Sequence, residues 1–320
     1  MSKKRIIILS VLLSIVTLLI ILFGVVFCLR KVDINTLSAD EYPLYMYQIN
    51  EKGNIDTDND GKKIQINITQ DMLLKAAGLR KGTPIFSVNK EKAKNNIEST
   101  YPSIKVVQIK TVSAIRVEIE VRQRVGMYYM QVDTEFDSNI GFYVLDEELV
   151  ILDKLGIGYD EEVKANYTEL ALSDDTVITR RPYYDKLSTS VIQNYTYNIF
   201  NAVCSTVTVK DEAGVLSVSN KEGSKFIERN TFSKVVNKVT LSKVEVDDRF
   251  AEQAKDLYWV TMQIKDGNNV RYIQIYRPDK DLIDKVNLSF SALSKLTEGN
   301  DVIVCTYQEG KIALVQKSSV

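Results

Sequence analysis

The side chains that could do chemistry in this 320-residue chain are limited by the absence of histidine. Without an imidazole there is no Ser-His-Asp or Cys-His pair, no histidine-ligated metal and no ordinary neutral-pH base. Catalysis would therefore have to use carboxylates, lysine or tyrosine.

The clearest metal-binding pattern is Asp56-x-Asp58-x-Asp60-Gly61. It fits the first half of a calcium loop, but the twelfth position, which normally carries a bidentate glutamate, is Asn67. We favour a polar hairpin turn at Asp60-Gly61 that joins strands near residues 44–49 and 64–68. Calcium binding is the alternative.

The remaining catalytic candidates are weak. Asp174-Asp175 and Asp247-Asp248 are adjacent acids, which on a strand would point to opposite faces. Gly156-x-Gly158 lacks the third glycine of a dinucleotide fingerprint, and we predict no helix after it. We therefore predict a non-enzymatic protein without a cofactor, and a membrane-tethered wall-acting enzyme is the disfavoured alternative.

The three cysteines, Cys28, Cys204 and Cys305, form no C-x-x-C pair. We interpret them as small buried apolar residues. A Cys204–Cys305 disulfide outside the cytoplasm is the alternative.

An apolar run without charge or proline extends over residues 6–29. As a helix it is about 36 Å long, enough to cross a hydrocarbon core of about 30 Å. The run is longer than a signal-peptide core and has no small-residue cleavage site, so we predict an uncleaved transmembrane helix. Lys3, Lys4 and Arg5 precede it, which predicts a cytoplasmic tail over residues 1–5 and an exported remainder.

Charge is distributed in zones along the exported part. Residues 62–124 contain 13 Lys/Arg against 5 Asp/Glu, whereas residues 131–175 contain 13 Asp/Glu against Lys154 and Lys164. Zones of this size favour two domains rather than one.

The basic zone reads as a small mixed module. Thr69 is placed to cap a helix over 70–77 that stops at Gly78, and Asn89 is placed to cap a second helix that ends at Tyr101-Pro102. Two strands follow, with Val117, Ile119 and Val121 alternating with charged residues in the second. Residues 64–68 supply the third strand in this interpretation.

The module resembles a POTRA domain of the FtsQ/DivIB kind, found in bacterial division proteins with one N-terminal span. The resemblance is carried by Gly78-x-x-x-Gly82, Ile85-Phe86, Tyr101-Pro102-x-Ile104, Val117-x-Ile119-x-Val121-x-Gln123-Arg124 and the Asp146-containing segment 142–152. The sequence departs from the family pattern at Gln123, usually glutamate, and at Gly126, usually proline.

The predicted architecture is α+β: a transmembrane helix, a βααββ POTRA-like domain and a larger C-terminal β-rich domain with helices. The rest of the chain fits it, with helices over 187–203 and 281–296, a hairpin turning through 266–269 and a final hairpin over 302–315. The predicted segments are 1–5 tail, 6–29 transmembrane helix, 30–63 linker with an inserted hairpin, 64–126 POTRA-like domain and 127–320 C-terminal domain. Residues 180–248 match nothing that we recognise.

The resemblance implies a membrane-anchored scaffold of the division septum that helps to place septal cell-wall synthesis. Its implied partners are two small single-span coiled-coil proteins, of the FtsL and FtsB/DivIC type. A terminal strand can pair with a partner strand through its unpaired backbone groups. The predicted partner-binding residues are Tyr307, Gly310, Ile312 and Leu314. The alternative is that they only pack the hairpin onto its sheet.

The basic residues of the module carry a separate hypothesis of contact with anionic lipid headgroups, wall polymer or an acidic partner segment. They are Lys62, Lys63, Arg80, Lys81, Lys90, Lys92 and Lys94. The alternative function for the whole chain is that of a POTRA-like envelope protein in another assembly, such as sporulation or secretion.

Overall fold

The computed structural model of the chain separates into two compact units. One contains residues 1–48 and 55–124, and the other contains residues 49–54 and 125–320. The structure describes residues 11–18, 28–36, 44–132, 139–172, 181–187, 190–209, 216–218, 229–244, 258–266, 269–293, 295, 301–308 and 311–318.

Within the predicted transmembrane run, 6–29, the structure describes residues 11–18 and 28–29. Residues 11–18 form a helix, α1, whereas Leu29 is buried in the first unit. The large apolar side chains of α1 are exposed, for example Leu13 at 68%. Over the described ranges, no helix is both long and apolar enough to cross a membrane.

In its described residues, the first unit contains five strands and, besides α1, two α-helices. They are β1 (Lys31–Thr36), β2 (Tyr45–Tyr47), β3 (Gln65–Asn67), α2 (Gln70–Ala77), α3 (Lys90–Thr100), β4 (Ile104–Ser113) and β5 (Arg116–Gln123). Strands β1, β5 and β4 form a sheet in that order, with β1 parallel and β4 antiparallel to β5.

The first strand of this sheet corrects the sequence analysis. The third strand is β1, which lies in the segment assigned to the linker, and not residues 64–68. Val32 and Ile34 alternate with polar residues, so they can face the same core as their register partners Val117 and Ile119. Strand β3, within 64–68, instead pairs with β2 in a separate two-stranded ribbon.

The hairpin turn predicted at Asp60-Gly61 is confirmed. Asp58 Oδ1 accepts hydrogen bonds from the backbone N–H groups of Asp60 and Lys62, at 3.0 and 2.9 Å. Gly61 has φ +76°, which a residue without Cβ adopts at low cost.

The two predicted helices of the basic module are also confirmed. Thr69 caps α2 by accepting from Met72 N–H, and Gly78 ends the helix in the left-handed conformation. Asn89 caps α3 in the same way through Lys92 N–H. Leu73 and Ile97, one from each helix, are fully buried in one core with the sheet.

The second unit is built on one nine-stranded sheet, of order β16-β15-β14-β13-β12-β9-β6-β7-β8 over the described residues. Its strands are β6 (Tyr128–Gln131), β7 (Phe142–Leu145), β8 (Ile151–Leu155), β9 (Thr168–Leu172), β12 (Val236–Lys243), β13 (Tyr258–Asp266), β14 (Asn269–Tyr276), β15 (Asp301–Gln308) and β16 (Lys311–Ser318). Strands β10 (Val207–Val209) and β11 (Leu216–Val218) form a separate pair. The helices are α4 (Asp160–Asn166), α5 (Ser190–Thr206), α6 (Arg229–Val235) and α7 (Leu282–Leu293).

Helices α5, α6 and α7 share one large apolar core with the sheet. Phe200, Phe232 and Phe290 come one from each helix and lie with strand residues such as Val260 and Ile275. Helix α4 belongs to a separate small cluster, in which Val163 packs with Tyr129 and Phe142. This helix follows the Gly156-x-Gly158 pattern, where we predicted none. The predicted hairpins, one turning through 266–269 and one over 302–315, are confirmed.

Candidate partner-binding edge

The two edges of the nine-stranded sheet differ in what covers them. Beside β8, the backbone of residues 184–187 continues the ladder: Ile151 N–H donates to the Asp185 carbonyl at 2.9 Å, and Tyr184 N–H donates to the Ile151 carbonyl at 2.7 Å. Leu187 N–H adds a bond to the Leu149 carbonyl at 3.0 Å. The protein's own chain therefore covers the start of this edge, at Ile151 and the residues just before it.

The opposite edge is β16, and no described strand pairs with its outer side. Strand β16 is antiparallel to β15 from Lys311, opposite Gln308, to Ser318, opposite Asp301, without a register shift. In such a ladder alternate residues direct their N–H and C=O groups outward. Lys311 and Gln308 flank the two-residue connection, and their backbone groups bond to each other. The backbone N–H and C=O groups of Ile312 and Leu314 therefore point away from β15, towards the open side of β16.

The side chains of the predicted site divide between core and surface. Ile312 is the register partner of Tyr307 in the hairpin, and its side chain is partly buried against the large core. Leu314 faces the fully buried Cys305 and is 37% exposed. The structure therefore brings Tyr307, Ile312 and Leu314 together on one hairpin, while Gly310 lies outside the described residues.

One exposed residue of this edge was missed by sequence reasoning. Val315 lies on the opposite face of β16 from Leu314 and is 42% exposed. Strand alternation could have predicted this exposure. Leu314 and Val315 are adjacent and point to opposite faces, so a sheet with one covered face cannot bury both.

The edges in the first unit are less regular. Strand β4 has register shifts between Val106 and Gln108 and between Thr111 and Ser113, and bulges of this kind interrupt an edge ladder. Along β1, the side chain of Gln70 donates to the outward carbonyl of Ile34 at 3.4 Å. Strand β16 is therefore the long, unbroken edge within the described ranges.

A buried lysine of α7 holds the turn that follows β14. Lys285 of α7 is fully buried, and its Nζ donates to the carbonyls of Tyr276 and Arg277 at 3.0 and 2.8 Å. Burial lowers the pKa of the Lys285 ammonium and raises the pKa of the nearby Cys305 thiol. This lysine therefore fixes the turn after β14, and neither group is accessible to a substrate.

The other sequence candidates do not assemble a reactive site in the described part of the chain. There, no group of three or more acidic or cysteine side chains is arranged to hold a metal ion. Asp56 accepts from the Gln48 side chain, and Asp58 closes the hairpin turn. Cys28, Cys204 and Cys305 are not joined in a disulfide, and both acid pairs, 174–175 and 247–248, lie outside the described residues.

The arginine of the family motif is part of the first unit's core. The Arg124 side chain is 2% exposed, and its Nη2 lies 3.6 Å from Glu98 Oε2 on α3. Glu98 Oε1 in turn accepts from Val106 N–H at 2.9 Å. Arg124 therefore orients the carboxylate that joins α3 to β4.

The fold of the first unit, with two helices packed against a three-stranded mixed sheet in the order βααββ, defines a POTRA-like domain. The family described as "POTRA domain, FtsQ-type" matches residues 63–124. These residues are similar to a POTRA domain of the FtsQ type, and the match supports an FtsQ/DivIB-family protein, as the resemblance implied. No curated protein matches the chain.

Proposed function

We propose that this chain is a non-enzymatic, membrane-anchored scaffold of the bacterial division machinery. The observation that carries the proposal is the FtsQ-type POTRA domain at residues 63–124, which indicates a division-associated protein and belongs to a generally non-enzymatic family. The scaffold binds small single-span proteins of the FtsL and FtsB/DivIC type and helps to place septal cell-wall synthesis.

Anchoring is assigned to the apolar run at residues 6–29. The exposed large apolar side chains of α1 support it, since a helix that exposes so many of them needs a lipid or protein environment. The basic residues before the run support a cytoplasmic N-terminus with both units outside. The proposed division role puts these units at the septum.

Partner binding is assigned to the outer edge of β16. A partner strand can form backbone hydrogen bonds there, and Leu314 and Val315 offer exposed apolar contacts on the two faces. Residues 184–187 bond beside the start of β8, whereas no described strand pairs with the outer side of β16, so β16 is the longer open edge strand of the nine-stranded sheet in the described part of the chain.

The test is a tagged full-length chain in dividing cells of the source organism, compared with Leu314→Pro and Leu314→Val variants. Proline at an outward-directed position removes one donor to the partner and leaves the ladder to β15 intact. We expect the wild type and Leu314→Val to form a midcell band and to co-purify the small single-span division proteins. Leu314→Pro should lose at least tenfold of that co-purification while remaining folded.

Two results would contradict the proposal at different levels. A uniform envelope signal for the wild type opposes the division role. Midcell localisation with unchanged co-purification of Leu314→Pro removes β16 from the site and leaves the division role in place. Ala313→Pro, which interrupts the ladder to β15, serves as the control for a disturbed hairpin.

A further inference from the structure

The end of the first unit's sheet is bonded directly to the end of the apolar run. Leu29, the last residue of that run, is buried; its N–H donates to the Thr83 carbonyl at 2.7 Å, and its carbonyl accepts from Gly82 N–H at 2.8 Å. On the other side, Arg30 N–H donates to the Ile115 carbonyl at 2.8 Å. Residues 28–31 are therefore held between the 78–90 loop and the β4–β5 hairpin, with no linker before β1.

The three segments that meet here carry only positive charge. Residues 28–31, 78–90 and 111–116 contain no aspartate or glutamate. Their basic residues are Arg30, Lys31, Arg80, Lys81, Lys90 and Arg116. Asp33 pairs with Lys31 and Arg116, at 2.9 and 2.5 Å, which leaves the exposed Arg30, Arg80, Lys81 and Lys90 to give this end a positive potential.

An aromatic side chain projects from the same loop. Phe86 is 75% exposed, more than any other large apolar residue in the described part of the chain. It lies in a 3-10 turn, Ile85–Ser87, in which Ile85 packs against the core and Ser87 N–H donates to the Pro84 carbonyl. The turn is thus fixed at its base, and the ring is presented outward. Val112, on the neighbouring hairpin, is 47% exposed.

We infer that this end of the POTRA domain docks on the anionic lipid surface of the membrane that holds the apolar run. We call it the basal surface and define it by Arg30, Arg80, Lys81, Phe86, Lys90 and Val112. Phe86 inserts at the level of the lipid headgroups, and the basic side chains contact the lipid phosphates. The inference rests on the proposed anchoring by residues 6–29.

The choice of lipid over a soluble polyanion follows from connectivity. If the apolar run crosses the bilayer, the membrane surface lies just before Cys28, because Leu29 is already buried in the first unit and hydrogen-bonded to the 78–90 loop. An exposed aromatic ring surrounded by cations suits an anionic lipid interface, where apolar contact and charge attraction act together.

The test uses the full chain reconstituted in vesicles, with tryptophan placed at the basal surface. In a Trp259→Phe background, Phe86→Trp reports the basal surface and Ser99→Trp is the matched control. Ser99 is exposed near the far end of α3, about 14 Å along the helix axis from Lys90. The vesicles contain phosphatidylglycerol or phosphatidylcholine alone, with shallow brominated lipids as quenchers.

In phosphatidylglycerol vesicles we expect tryptophan 86 to show blue-shifted emission and at least threefold stronger quenching than tryptophan 99. Adding Arg80→Gln and Lys81→Gln, or raising the salt concentration, should reduce that quenching at least twofold. If Trp259→Phe disturbs the second unit, the same comparison is made as the difference between the two variants with Trp259 present.

Vesicle flotation separates the two levels of the proposal. A chain that floats with the vesicles while tryptophan 86 and tryptophan 99 are quenched equally overturns basal docking and leaves the anchor intact. A chain that does not float overturns the anchor and the docking together. Equal quenching of tryptophan 86 in phosphatidylglycerol and phosphatidylcholine vesicles, or quenching that salt does not change, would contradict a preference of the basal surface for anionic lipid.

Discussion

A single amide side chain joins β2 to the end of β5 in the POTRA domain. Gln123 accepts from Tyr45 N–H through Oε1 at 3.1 Å and donates to the Tyr45 carbonyl through Nε2 at 3.0 Å. The same carbonyl accepts from the Ser103 hydroxyl at 2.7 Å. A glutamate, usual in the family at this position, cannot donate when ionised. The departure from the family motif therefore fits its surroundings.

Gln123→Glu should destabilise the POTRA domain by about 1–3 kcal/mol at pH 7, because a carboxylate would face the Tyr45 carbonyl oxygen. The loss should shrink as the pH falls towards about 4, where a protonated carboxyl can donate again. Hydrogen exchange of the peptide covering Tyr45–Tyr47, followed against pH, measures both effects. Gln65→Glu, at an exposed position of β3, is the control, and an equal change in the two variants would contradict the prediction.

The second departure from the motif, Gly126, also has a structural reason. A Cβ at this buried position would lie 2.5 Å from Val144 Cγ1 and 2.9 Å from Tyr167 Cε1. Neither the usual proline nor any larger residue fits without moving those side chains. The sequence shows that Gly126 replaces the family's usual proline. The reason could not be predicted, because Val144 and Tyr167 come from two segments that only the fold brings beside it.

At the scale of elements, α3 and β4 are joined by one carboxylate. Glu98 satisfies Val106 N–H beside a register shift of β4, and Arg124 lies behind it. The bulge that makes β4 an irregular edge therefore depends on a contact from the helix. The same contact explains why the motif's arginine is buried.

Glu98→Ala should cost the POTRA domain about 1–3 kcal/mol, because it removes the acceptor of Val106 N–H and the carboxylate beside the Arg124 guanidinium. Glu98→Gln keeps an acceptor for Val106 N–H, so its loss should be smaller. Denaturant unfolding gives both values, with Glu91→Gln at the exposed start of α3 as the control. A loss for Glu98→Ala no larger than that of the control would contradict this account.

The elements that could be predicted from sequence are those specified locally. Caps and stops at Thr69, Gly78 and Asn89 gave both helices of the POTRA domain, and alternation gave β5. Strand β1 was missed because its parallel partner lies 85 positions away, from Lys31 to Arg116, and Asp33 made it resemble a linker. Its acid is compensated by an ion pair with Arg116, which only the fold brings near.

At the scale of the whole molecule, buried tyrosines determine how the second unit responds to alkaline pH. Burial, with a smaller effect from the Glu169 charge, raises the pKa of Tyr129 to about 12. Burial also raises the pKa of Tyr128 and that of Tyr183 above the ordinary value. The folded chain therefore retains phenolic protons that the unfolded chain releases near pH 10.

Because the unfolded state binds fewer protons above pH 10, the stability of the second unit should fall between about pH 10 and 12. Tyr129 alone accounts for roughly 2–3 kcal/mol of that fall. Tyr129→Phe should flatten the fall, whereas Phe at the exposed Tyr159 should leave it unchanged. Denaturant unfolding at several pH values measures the slope, and identical slopes for the two variants would contradict the assignment.

The division into two units was predictable, but the free edge was not. The charge reversal after residue 124 coincides with the boundary between the units, two residues before the predicted domain end at 126. The difference between the two edges includes the bonding of residues 184–187 beside the start of β8, a contact that no local pattern indicates. Sequence reasoning placed the site in the final hairpin but could not compare the two edges.

The parallel pairing of β1 with β5 also has a mechanical consequence. Tension between the N-terminal anchor and the C-terminal unit would pull β1 from its Lys31 end and β5 from its Gln123 end. These are opposite ends of the two parallel strands, so the load acts along them in shear. All six paired positions, from Lys31–Arg116 to Thr36–Val121, would resist together rather than open one after another. Under such tension the β1–β5 pair would therefore resist in shear rather than unzip.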